Sequence, residues 1–307
     1  MKNQFKPIIK NTFILLFVIS ILFGCNKNDS KIWDDKGSSQ EQNLDAQVIV
    51  HDGETREYVL HIPDSYDGTT EVPLMFNFHG NGGNASEYMT YADMRSLAES
   101  ETFILVYPQG SILNGSTHWN PSLSSIENKS NTDDLGFIEA LINKLSADYM
   151  IDMKRIYACG YSNGGMMSYG LASHKSNLIA AIGCVSGVMI DTDIIPSHPM
   201  PIIKIHGTSD DVLPYNGTNG VYNSVEATLK YWRNFNNTNT TPIVSSFNDN
   251  GTIIEHFVYA GGDNGAAVEH YKIIEGGHVW FDMNYQEAST SKLIWDFVSG
   301  YNINGIQ

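Results

Sequence analysis

The chain has 307 residues, 42% of them apolar and 17% charged, which is the balance of a folded globular protein and not of a disordered one. Its 34 Asp and Glu against 18 Lys and Arg give a formal charge of −16. That excess argues against nucleic acid or an anionic membrane surface as a partner, because both repel it and no Lys/Arg stripe offsets it.

From the N-terminus, Lys2, Lys6 and Lys10 precede an apolar run from Thr12 to Phe23, then Gly24 and Cys25. A basic start followed by a short apolar run is the pattern of an export signal. Leu22-Phe23-Gly24-Cys25 resembles the lipobox of bacterial lipoproteins, where a peptidase cuts before the cysteine and diacylglycerol is attached to its sulfur. On this reading residues 1–24 are a signal peptide and Cys25 is the lipidation site, with an ordinary secretory signal or a short membrane anchor as the alternative. The expected location is the bacterial cell envelope, with the lipid as the sole membrane contact. Residues 25–46 are polar and aperiodic, as a flexible tether is. Residues 47–307 read as one folded domain.

Val48-Ile49-Val50 opens a strand pattern, and Pro73 to Phe78 reads as a buried strand. A helix is predicted over Glu87 to Glu99, then a strand over Phe103 to Tyr107, stopped by Pro108. Phe137, Ile138, Leu141, Ile142, Leu145 and Tyr149 recur at three- and four-residue spacing, which predicts a helix from about Asp133. There follow a strand at 155–159, a glycine-rich corner, a helix near 164–173, strands at 179–185 and 202–206, and a helix near 223–235. Asn234 to Thr241 reads as a surface loop, Thr252 to Tyr259 and Val268 to Ile274 as strands, and Ser289 to Val298 as a closing helix. Such alternation implies a mostly parallel sheet with helices on both faces. With Cys25 lipidated, Cys159 and Cys184 are read as buried free thiols, although a disulfide is open to an exported chain. No Cys/His spacing suggests a metal, and no cofactor is expected.

The sharpest local signal is Gly160-Tyr161-Ser162-Asn163-Gly164-Gly165, between a buried strand and a helix. Glycines flank the serine where a tight turn has no room for side chains. Such a turn lifts the hydroxyl above the sheet edge and leaves the Asn163 N–H free for an oxyanion. A serine nucleophile needs a base, and the base needs an acid to orient it. Asp210 and Asp211 follow the strand Ile202 to His206, where a parallel sheet presents its ligands. His278 follows Glu275-Gly276-Gly277 at the end of a later strand, completing the order Ser, acid, His. Of the other histidines, His51, His61, His256 and His270 fall in strand patterns, and His206 reads as structural. Gly80, in Asn77-Phe78-His79-Gly80-Asn81-Gly82-Gly83, is expected to supply the second oxyanion amide, with His79 shaping that loop.

Taken in order, Asp133-Asp134-Leu135-Gly136-Phe137-Ile138, Arg155-Ile156-Tyr157, the serine corner with Met166-Met167, His206-Gly207-Thr208-x-Asp210 and Gly276-Gly277-His278-x-Trp280 resemble the polyhydroxybutyrate depolymerase-like esterases. These are related to the feruloyl and acetyl-xylan esterases of carbohydrate esterase family one. The resemblance spans about Glu57 to Val298. It implies an α/β-hydrolase fold and a serine carboxylic-ester hydrolase, with Ser162 as nucleophile, His278 as base and Asp210 as orienting acid. Family members often carry Pro after the acid and after the Trp, where this chain has Asp211 and Phe281. Asp211 therefore stays open as the acid. His79, Trp119 and Trp280 are expected at the substrate, the two tryptophans as an aromatic platform or else as core. The expected substrates are acyl or feruloyl esters of polysaccharide fragments, or a hydroxyalkanoate polyester. A non-catalytic glycan-binding lipoprotein and a serine peptidase of the same fold are the rival readings.

Overall fold

Every residue of the segments Val72–Phe78 and Ile104–Pro108 is buried, as strands covered on both faces must be. The computed structural model describes residues 46–307 except Glu127. The expected signal peptide 1–24, Cys25 and all but the last residue of the tether lie outside the described residues.

In chain order, a hairpin of β1 (Gln47–His51) and β2 (Glu54–His61) leads to β3 (Val72–Phe78), α1 (Ala85–Tyr91), α2 (Arg95–Glu101) and β4 (Ile104–Pro108). A small hairpin, β5 (Ser111–Leu113) and β6 (Ser116–His118), precedes α3 (Asp134–Asp148), β7 (Ile151–Tyr161), α4 (Asn163–His174) and β8 (Ala181–Val185). Then come β9 (Ile202–Gly207), α5 (Val225–Phe235), β10 (Ile243–Asp249), β11 (Thr252–Tyr259), β12 (Val268–Ile273) and α6 (Thr290–Val298). Ten of these strands form one sheet in the order β1-β2-β4-β3-β7-β8-β9-β12-β11-β10. The six from β4 to β12 run parallel, and an antiparallel hairpin closes each flank.

The pleat sends alternate residues to two cores. Leu74, Phe76 and Phe78 of β3 pack in one core with α3, α4 and α5, while Met75 packs in the other with α1, α2 and α6. This is the α/β-hydrolase architecture, with helices on both faces of a mostly parallel sheet. Cys184 belongs to the first core and Cys159 to the second. The sheet lies between them, and both are buried free thiols.

Two expectations are corrected by tertiary contacts. The helix predicted over Glu87 to Glu99 is two helices, because the Tyr107 hydroxyl donates to Ala92 O (2.8 Å) and accepts from Met94 N (3.1 Å) where helical bonds would run. Asn234 to Thr241 is not wholly a surface loop. Asn236 is fully buried, and its amide clasps the backbone of Met200 at N and O (2.7 and 2.6 Å). The strand β10 carries no apolar alternation in sequence, because it is a sheet edge with Ile243 and Val244 exposed.

Candidate active site

Strand β7 ends at Tyr161 and α4 begins at Asn163, so the whole turn is Ser162, at φ 56° and ψ −120°. The flanking glycines are a steric requirement. A Cβ on Gly164 would stand 2.0 Å from Phe78 O, and one on Gly160 would stand 2.5 Å from the Gly164 carbonyl carbon. The Ser162 N–H donates to Val185 O at 2.9 Å, which fixes the turn to the end of β8.

The loops after β9 and β12 meet beside that serine. A Cβ on Gly207 would stand 2.1 Å from Gly276 O, and Ser209 N donates to the same carbonyl at 2.9 Å. Asp210 Oδ1 accepts from the N–H groups of Val212 (3.0 Å) and Leu213 (2.7 Å), a turn that this side chain builds around itself. Its Oδ2 lies 2.8 Å from His278 Nδ1, and His278 Nε2 lies 2.8 Å from Ser162 Oγ. The partners assign the tautomer: Nδ1–H donates to the carboxylate and Nε2 accepts from the hydroxyl. Between the two acids open in the sequence, Asp210 reaches His278 while Asp211 is exposed. Burial would raise the Asp210 carboxyl, but hydrogen bonds from His206, His278 and Leu213 outweigh it and hold the group well below the usual carboxylate range.

Asn163 is the first residue of α4, so its N–H has no partner within the helix. Gly80 approaches the same point; a Cβ on it would stand 3.3 Å from Ser162 Cβ. The ring of His79 holds this loop from inside. Its Nδ1–H donates to Gly80 O (2.7 Å), and its Nε2 accepts from Gly110 N (2.9 Å). Burial lowers the His79 pKa, which keeps that neutral tautomer.

The aromatic platform is corrected. Trp119 is 1% exposed and Trp280 7%, so neither offers a ring face to a ligand; His79 is buried but stands in the wall of the cleft described below. Trp119 ties the two halves of the site together instead. Its indole N–H donates to His79 O (3.0 Å), its backbone N–H donates to Asn163 Oδ1 (2.6 Å), and its carbonyl accepts from Asn163 Nδ2 (3.0 Å). Trp280 packs edge-on against Tyr88.

Sequence reasoning missed a cleft beside this site. It measures about 210 Å³ and is lined by Gly80, Asn84, Glu87, Tyr88, Tyr91 and Tyr161 among others. Tyr91 and Tyr161 meet edge to face, and the buried Tyr88 hydroxyl has no hydrogen-bond partner among the described residues. A serine, histidine and aspartate in line, beside the N-terminus of α4 and an aromatic cleft, can carry out acyl transfer. Among the described residues no cluster of His, Cys, Asp or Glu could hold a metal ion.

Residues 74–258 match the family model described as phospholipase/carboxylesterase. The chain is 30% identical over 255 residues to a bifunctional acetylxylan esterase/xylanase of Neocallimastix patriciarum, covering 80% of this chain and 34% of that protein. To the probable feruloyl esterase C of Aspergillus clavatus it is 33% identical over 187 residues, 60% of this chain and 65% of that one. To the protein of that name in Aspergillus oryzae it is 30% identical over 217 residues, 69% and 72% of the two chains. The chain thus spans about a third of the first of these relatives and just under two thirds of the second. Among solved structures, an acetyl xylan esterase from Aspergillus awamori superposes with a TM-score of 0.58 at 17% identity, over 76% of this chain and 94% of that one, a likeness of fold.

Proposed function

We propose that this chain, which belongs to the phospholipase/carboxylesterase family, is a serine carboxylic-ester hydrolase working through an acyl-enzyme. The observation that carries this reading is the unbroken line from Asp210 Oδ2 through His278 to Ser162 Oγ, 2.8 Å at each step, ending on a serine held at positive φ. Ser162 Oγ attacks the ester carbonyl as its proton passes to His278 Nε2, and Asp210 stabilises the imidazolium that forms. The tetrahedral oxyanion lies between the N–H groups of Asn163 and Gly80. Its collapse expels the alcohol, which takes the proton from His278. Water then repeats the sequence on the acyl-enzyme, activated by the same imidazole, and the acid leaves.

For substrate we propose acyl or feruloyl esters of polysaccharide fragments. The names of the acetylxylan and feruloyl esterase relatives support this, as does the tyrosine-lined cleft, whose rings suit a flat acyl group. A hydroxyalkanoate oligoester is the second substrate class. The lipid anchor at Cys25 and a place in the cell envelope remain our proposal, and palmitate labelling that persists in Cys25→Ala overturns it. The enzymatic reading is tested by hydrolysis of p-nitrophenyl acetate and methyl ferulate beside the Ser162→Ala chain. Turnover lost with Ser162 supports it; no turnover together with no labelling by a fluorophosphonate overturns it.

A further inference from the structure

Behind Asp210 the polar chain continues into the sheet. His206, fully buried on β9, places Nε2 3.2 Å from Asp210 Oδ2 and 2.9 Å from Leu213 O. Both partners only accept, so Nε2 carries the proton and Nδ1 is bare. Lys204, two residues earlier on the same face and also fully buried, sets Nζ 2.8 Å from that Nδ1. Its other neighbours are Gly187 O and Cys184 Sγ, the latter at 3.8 Å. A buried ammonium is costly without a counter-ion, and among the described residues none of its hydrogen-bond partners is a carboxylate. Burial pulls the Lys204 pKa down, and Cys184 and then Asp210, across the His206 ring, pull against it.

We propose that Lys204 is a positioning residue for ester hydrolysis: by donating to His206 Nδ1 it holds that ring neutral, Nε2–H turned to Asp210, so that the Asp210 charge serves His278 alone. A second imidazolium on Oδ2 would compete with the one that His278 must become. The proposal rests on the reading of Ser162, Asp210 and His278 given above.

The titratable groups around Lys204 and His206 fit this arrangement. Cys184 faces them from β8, with Tyr169 of α4 behind it. Tyr215, on the segment after Asp210, stands edge-on to His206. From β12, His270 donates through Nδ1–H to Lys204 O (3.0 Å) and accepts at Nε2 from the Tyr215 hydroxyl (2.7 Å). Burial pushes the His270 pKa down to about 3, so it brings no charge. Burial and then Lys204 push His206 down to about 4, against the pull of Asp210. Lys272 of β12 pairs with His206 in register, but its ammonium binds Glu255.

The test compares kcat and KM against pH for the full chain and for Lys204→Met, with nitrogen-detected imidazole NMR of His206 in the unmutated protein. We expect Lys204→Met to lose about tenfold in kcat with KM little changed. Its acid limb should also rise to higher pH and steepen from one proton toward two, as His206 begins to titrate beside Asp210. A purely structural lysine would lower Tm and scale the profile down without changing its shape, and that result overturns the proposal. The NMR decides the matter even where Lys204→Met fails to fold: a neutral His206 with the proton on Nε2 down to about pH 5 is expected, and a proton on Nδ1 overturns it. Absence of esterase turnover in the unmutated chain would sink the functional reading instead, and leaves the His206 tautomer as a separate result.

Discussion

Among the described residues two aspartates are buried, and their partners set them apart. Asp134, at the start of α3, is 0% exposed, with Oδ1 2.6 Å from Arg56 Nη2 on β2 and Oδ2 accepting from Asn120 N at 2.7 Å. Asp210 is as deeply placed, but its Oδ2 is shared by two imidazoles. A guanidinium never gives up its proton, so the first pair is a permanent rivet between β2, α3 and the loop carrying Trp119. An imidazole can take up and hand on a proton during turnover, so the second aspartate sits beside a partner that can cycle. Burial alone does not separate structure from chemistry; whether the partner can titrate does.

The largest break in that contrast comes from removing each charge. Asp210→Asn should cost about 10⁴-fold in kcat with a modest change in Tm, measured by ester hydrolysis and thermal unfolding. Asp134→Asn should do the reverse, leaving kcat within about threefold while removing about 2 kcal/mol of stability, because an amide keeps a single acceptor oxygen and leaves either Arg56 or the Asn120 N–H without its bond. Similar kinetic losses in both would erase the distinction.

The acid side of the stability curve sharpens it. Burial raises the Asp134 carboxyl despite Arg56, so the folded state binds that proton more tightly than the unfolded chain, and stability falls as pH rises above the ordinary carboxylate value. The Asp210 carboxyl is depressed, so its contribution is present above the ordinary value and is lost as pH falls through and below it. Between about pH 6 and pH 3, Asp210→Asn should therefore lose less Tm than the unmutated chain, and Asp134→Asn more.

A smaller effect is expected at Trp119→Phe, which removes the indole bond to His79 O. It should cost about 1 kcal/mol of stability and about tenfold in kcat through the slackened Gly80 loop, with KM unchanged. The smallest is Asp211→Asn, an exposed change within about 0.5 kcal/mol that leaves turnover intact. A large loss there would hand the acid's role to the neighbour.

Much of the molecule was legible because its constraints are local. The corner at Gly160 to Gly165 announces itself through sterics, and apolar periodicity marks α3 and the central strands. The order of Ser162, Asp210 and His278 along the chain followed from where a parallel sheet places its loops. What stayed hidden depends on contacts across the chain. The Tyr107 hydroxyl that splits α1 from α2 comes from another strand. Trp119 looks like any exposed aromatic until α4 is laid beside it. Lys204 interrupts Ile202-Ile203-x-Ile205 as a surface lysine would, and only the register of β8, β9 and β12 shows it enclosed.

The serine at the corner carries one last implication. Its φ of 56° and ψ of −120° lie where a residue bearing a Cβ is strained, by about 1 to 3 kcal/mol, and glycine is at ease there. Ser162→Gly is therefore downhill for folding and ruinous for turnover. A laboratory screen that rewards heat resistance alone would tend to discard this side chain, returning sturdier and inert proteins.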